Sequence, residues 1–234
     1  MSGSPPTARW RRRVSVVLGP DGCASVPAQD GSWQARSMRT SRLEAFSDGV
    51  LAIIITIMVL ELQVPEEPTL AALGDSATGF LTYALSFVYI GIYWNNHHHM
   101  FHVVERITGG VLWANLHLLF WLSLLPFSTA WMDETGFART PVIVYGVNLL
   151  LAAVTYYVIQ LAVFAGHSGP QLREALGRDL KGKLSPLMYL TGIALAFVTP
   201  WLAVAVFVVA ALVWLVPDRR VERYLAGRSE GAPA

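Results

Sequence analysis

Charge is the scarcest commodity in this sequence. Only 14% of its 234 residues are Asp, Glu, Lys or Arg, against about 25% in an ordinary soluble domain. Cysteine is nearly missing: the single thiol, Cys23, excludes an internal disulfide and a thiolate-built metal cluster. It reads as an incidental thiol in a loose tail. Catalytic signatures are missing as well. His98 and His102 have an i, i+4 spacing that zinc accepts, but no HExxH or other ligand set accompanies them. Ser47, Asp48 and a histidine such as His98 could be imagined as a hydrolytic triad, but no GxSxG elbow presents the serine. Neither an enzyme nor a resident metal or cofactor is therefore expected.

What the chain has instead is apolar length. Hydrophobic residues make up 54% of it, and its mean hydropathy is +0.47. The runs are long and do not alternate, which excludes a membrane barrel. Backbone groups in lipid must then be satisfied within helices. A spanning helix needs about 20 residues. The sequence offers Arg42–Gln63, Ser76–His99, Ile107–Trp131, Thr140–Gly166 and a last stretch, Leu184–Val216, interrupted at Thr199-Pro200-Trp201. Pro200 breaks the hydrogen-bond ladder, so that last stretch reads as two short spans. The expected fold is an all-α membrane protein with six transmembrane helices. Residues 1–38 read as a disordered basic tail, 39–217 as the membrane domain and 218–234 as a cytoplasmic tail. Pro126 should kink the third span, while Pro141 and Pro186 sit near helix starts, where proline is tolerated.

The few charges are sorted by side. Of the 17 Lys and Arg residues, all but Arg139 fall before or at the start of the first span, after the second, after the fourth or after the last. Glu66, Glu67, Asp75, Asp133 and Glu134 gather on the opposite side. The positive-inside rule then puts both termini in the cytoplasm. Eight Trp and eight Tyr suit interfacial belts. No internal repeat is visible, and nothing points to nucleic acid.

The first span is unlike a soluble amphipathic helix. Its charges sit at one end, as Arg42, Glu44 and Asp48 with Ser47, and from Val50 to Leu60 the only polar side chain is Thr56. Ionisable groups at membrane depth are costly, so this end is a functional candidate. On a 3.6-residue wheel Ile53, Ile57 and Leu60 share one face with Thr56 beside it. By themselves these are ordinary membrane residues. The second span ends Trp94-Asn95-Asn96-His97-His98-His99, and the third carries Asn115 and His117. The charge sorting puts these ends beside Asp48, so a buried Asp–His–Asn–Trp network is expected there. His97 or His98 suits a buried hydrogen-bonding role, and His99 and His102 an exposed turn. A histidine there could also confer pH sensitivity. Glu61, at the other end, is either a solvated helix end or a cation-attracting mouth.

The stretch Arg42-x-x-x-Phe46-Ser47-Asp48, continued by Gly49, Ala52, Ile53 and Thr56, resembles the transmembrane protein 175 family of potassium channels. Trp94, His97–His98, Asn115, Pro126-Phe127 and the closing W-L-V-P-D-R-R-V-E-R stretch are similar to bacterial members, over about residues 40–223. The resemblance implies a passive potassium channel in the cell membrane, with bilayer lipid and monovalent cations as its partners. It also implies a homotetramer of single six-helix units whose first helices line the pore. Ile53, Ile57 and Leu60 map to constricting positions and Thr56 to one associated with selectivity. Arg42, Phe46, Ser47, Asp48, Trp94, His97, His98 and Asn115 map to a polar network bracing the pore helix. No TVGYG filter is present, only a partial echo in Val144-Tyr145-Gly146-Val147. The rival expectation is a proton-coupled secondary transporter using Asp48 and the histidines.

Overall fold

The computed structural model describes residues 17–18, 24–25, 32–102, 104, 107–166 and 180–215. Cys23, the C-terminal tail and most of the N-terminal tail lie outside them. The chain divides into two units, residues 1–35 and 36–234. In the first, β1 (Val17–Leu18) and β2 (Ala24–Ser25) form a minimal antiparallel ladder. The second is built from helices.

Helix α1 (Ser32–Leu60) begins ten residues before Arg42, inside the stretch expected as tail. It ends where Pro65 and Pro68 approach, with a last turn tightened by a Leu62 N–H to Val59 O bond of 3.3 Å. A short helix that the sequence reading did not anticipate, α2 (Leu70–Asp75), is capped by Thr69, whose hydroxyl accepts from Ala72 N–H at 3.2 Å. Next come α3 (Ala77–His102), α4 (Gly109–Ser123), α5 (Leu125–Glu134) and α6 (Arg139–Gly166). Two shorter helices close the described chain, α7 (Leu180–Ala196) and α8 (Pro200–Leu215). Thr40–Leu60, Ala77–Phe101, Gly109–Glu134 and Arg139–Val163 are long and apolar enough to cross a membrane. Leu184–Ala196 and Pro200–Leu215 are apolar but shorter.

The third apolar segment is two helices rather than one bent one. Pro126 has no N–H to continue the ladder, and it takes the first turn of α5, where none is needed. A polar side chain from α6 covers the break. With its amide turned to satisfy both ends, Asn148 donates to Trp121 O at 2.8 Å and accepts from Leu125 N–H at 3.3 Å. Pro200 likewise opens α8, as expected. Pro186 does not sit at a helix start: α7 begins at Leu180, which leaves the proline inside it.

The core gathers on Phe207 of α8. Its ring lies so close to Gly146 of α6 and Gly192 of α7 that a β-carbon on either would fall 2.6 or 2.4 Å from a ring atom. Only glycine lets the three helices approach this far, as at small-residue interfaces in membranes. The backbone carbonyl of Phe207 also accepts from the Tyr89 hydroxyl of α3 at 2.6 Å. Thus α3, α6, α7 and α8 form one packed block, to which α4 and α5 are joined through α6 and α3.

Candidate functional site

Helix α1 is two-faced. Leu43, Ser47, Leu51, Ile54 and Met58 follow helical spacing and are buried against the rest of the subunit. On the other side Ile53, Ile57 and Leu60 are 59%, 42% and 81% exposed, with Thr56 also exposed. The Thr56 hydroxyl donates to Ile53 O at 2.8 Å. Its proton is therefore used within the helix, and its lone pairs face outward.

On the buried face Ser47 is anchored by hydrogen bonds. Ser47 donates its hydroxyl proton to Leu43 O at 2.9 Å. Its oxygen is then an acceptor, and Asn115 of α4 donates to it from Nδ2 at 3.0 Å. That fixes the amide: Asn115 Oδ1 must face the other way, where His97 Nε2 of α3 lies at 2.8 Å. A carbonyl oxygen only accepts, so the His97 proton sits on Nε2. All three residues are buried. One serine on α1 thus reads out the placement of two other helices.

A second tie runs beside it. Trp94 of α3 donates its indole N–H to Asp48 at 3.0 Å. Three residues before His97 on the same helix, it lies nearly parallel to the His98 ring, with centroids 6.1 Å apart and an interplanar angle of 18°. Of the three consecutive histidines, His97 is buried, His98 exposed and His99 half-buried. His99 and His102 belong to α3 rather than to the turn expected for them. Arg42 and Phe46 are exposed. No group of three metal-ligating side chains occurs among the described residues.

Other buried polar contacts have no distinctive mark in the sequence. Ser86 joins Thr129 at 2.7 Å and Tyr145 at 3.0 Å, linking α3, α5 and α6 inside the core. Tyr145 and Gly146, from the stretch that echoes a filter, are thereby helical core residues. The signal was a hydroxyl in each of three apolar runs, which is too common to single out.

The chain is similar to several known proteins. The model of the family described as endosomal/lysosomal potassium channel TMEM175 matches residues 42–126. A protein named as a potassium channel from Chryseobacterium sp. (strain P1-3) is 48% identical over 189 residues, covering 80% of this chain and 98% of that protein. The chain belongs to the TMEM175 family. A solved structure of a lysosomal potassium-selective channel TMEM175 homologue from Chamaesiphon minutus matches with a TM-score of 0.67 and 31% identity. It covers 76% of this chain and 97% of that one. The Bos taurus endosomal/lysosomal proton channel TMEM175 is 34% identical over 112 residues, 43% of this chain and 23% of that protein. Membership in the TMEM175 family places the chain among channels rather than enzymes.

Proposed function

We propose that this chain is a passive, moderately selective potassium channel of the cell membrane, working as a homotetramer with α1 from each subunit around the pore. In this reading each subunit crosses the bilayer six times, α7 and α8 being the two short crossings, and both termini are cytoplasmic. Slightly short apolar helices are accommodated by local thinning of the bilayer at modest cost. The conducted ion is potassium, and no cofactor is needed.

The observation that carries the proposal is the two-faced first helix. The seam of Ile53, Ile57 and Leu60 is exposed in the single subunit while the opposite face is packed and hydrogen-bonded. Four such seams around an axis make an aliphatic neck. A neck of this kind gates by dewetting, and an ion crossing it sheds part of its hydration. Potassium holds water less tightly than sodium, so it is penalised less. Thr56, beside the seam, offers lone pairs to a partly stripped ion. The ties of Ser47 and Asp48 set the radius by holding α1 at a fixed distance from α3 and α4. A proton-coupled transporter is the weaker reading, since the Asp48 carboxylate is engaged by Trp94 and the family consists of channels.

The test is flux from liposomes containing the purified chain. Wild type should release potassium faster than sodium without a proton gradient, and Ile53→Asn should wet the neck and lower that ratio. An unchanged ratio in a folded Ile53→Asn protein would remove α1 from the pore.

A further inference from the structure

Helix α4 has an exposed face of its own, and that face is not purely apolar. Between residues 107 and 132 the sequence holds one ionisable side chain, His117. It is exposed, among exposed Trp113, Leu116 and Phe120. Its ring meets Trp121 edge-on, with centroids 5.9 Å apart, and neither ring nitrogen has a hydrogen bond among the described residues. Asn115 bonds inward to Ser47 and His97, and two residues turn a helix by about 200°. His117 therefore points out of the subunit. An imidazole left so in lipid is costly, and ionisable side chains within spans almost always meet protein or water.

Depth identifies what His117 faces. The bonds of Asn115 put Ser47, His97 and Asn115 at one level. Consecutive crossings alternate in direction, so α1 and α4 run the same way and α3 the other. Moving outward from that level, Asp48 lies one residue on along α1, His117 two along α4 and Asn95 two along α3, all within about 2 Å of depth. Rotation about an axis normal to the membrane leaves depth unchanged. Each copy in a ring thus offers Asp48 and Asn95, both exposed, at the level of its neighbour's His117. Trp94 occupies Oδ1 of Asp48, and Oδ2 has no partner among the described residues. A free carboxylate oxygen and an unpartnered imidazole are complementary.

Gly91 is an independent mark on the same flank. Glycine is a poor helix former, and the Phe207 ring that accounts for Gly146 and Gly192 does not reach it: nothing lies within 4 Å of where its β-carbon would stand. It sits on α3 between exposed Phe87 and Trp94. By the same count from His97 and Asn115 it is level with Phe120. A small residue there admits a ring from outside.

We propose that the α4 face of one copy packs on the α1–α3 flank of the next, with His117 donating to Asp48 and Phe120 seated over Gly91. This deepens the homotetramer proposed above and rests on it. In a closed head-to-tail ring each copy gives a different flank to each neighbour, as α4 and the α1–α3 flank do here.

The test uses the full chain in membranes, with Cys23→Ser as background. Asp48→Cys and His117→Cys are combined in one chain and treated with a bifunctional methanethiosulfonate of two-carbon arm. Each copy then carries one thiol of either kind, so linkage should run head to tail and give a ladder up to four chains. Either single variant should stay at one chain. If Asp48→Cys does not fold, Asn95→Cys takes its place in the pair. Gly91→Trp meets nothing inside the subunit. It should keep the helical signal of the folded chain and lose the four-chain band that amine-directed cross-linking gives for wild type. Thiol linkage within one chain only, or none, in a protein that amine-directed cross-linking shows to be a tetramer overturns this contact. So does a tetramer undisturbed by Gly91→Trp. A wild type that never reaches four chains overturns the homotetramer itself, and this contact with it.

Discussion

Asn115 carries two of the hydrogen bonds beneath the first helix, one in each direction. Because Ser47 spends its proton on its own helix, the asparagine has to donate to it and accept from His97. No other side chain of that size supplies a donor and an acceptor on opposite sides of one plane. Asn115→Leu keeps the bulk and deletes both partners. It leaves the His97 N–H and the Ser47 acceptor buried without their partner, at about 1–3 kcal/mol for each unsatisfied group. The expected outcome is a lower melting temperature in detergent and a looser α1, read as faster amide exchange around residues 43–51. Asn115→Asp should also destabilise the subunit, because it accepts on both sides and cannot donate to Ser47. Equal stability of the Leu variant and wild type would show that the chain of bonds holds nothing.

At the level of helices, glycine and proline positions explain the packing better than hydrophobicity does. The apolar runs located the long helices to within a few residues at several ends, and the prolines marked both places where the ladder breaks. What closes each break was hidden. Asn148 lies 22 residues beyond Pro126 in sequence, and nothing local marks it as the partner of Trp121 O and Leu125 N–H. Gly192 is equally silent. A glycine in an apolar helix costs about 1 kcal/mol against alanine, so its cause has to be tertiary. Here that cause is the Phe207 ring. Gly192→Ala should therefore destabilise the subunit despite better helix propensity, because overpacking costs about 1–3 kcal/mol. Gly74, with open space around its Cβ position, is the control, and Gly74→Ala should be neutral or stabilising. Thermal unfolding of the two variants side by side decides it; a stabilised Gly192→Ala would mean that Phe207 moves aside freely.

For the whole molecule, the subunit's apolar surface offers the proposed tetramer more than one face to turn toward its axis. Leu60 on α1 and Leu212 on α8 are 81% and 57% exposed, and both would be content in lipid. The sequence had the same blind spot: the wheel picked out the seam, but only family resemblance gave it a pore to face. Distance between copies separates the two positions. A disulfide requires Cα atoms about 4.4–6.8 Å apart, a spacing that a narrow neck brings within reach and a lipid-facing position does not. The experiment needs one preparatory change, Cys23→Ser, since that is the only native thiol. Leu60→Cys should then oxidise in membranes to a covalent dimer and no further, because each thiol in a fourfold ring can bond only one neighbour. Amine-directed cross-linking of the same sample should reach four chains. Potassium flux should fall on oxidation and return with reductant, whereas Leu212→Cys should give neither the dimer nor the loss. If Leu212→Cys cross-links and Leu60→Cys does not, the helices around the axis are α8, and the seam on α1 faces lipid.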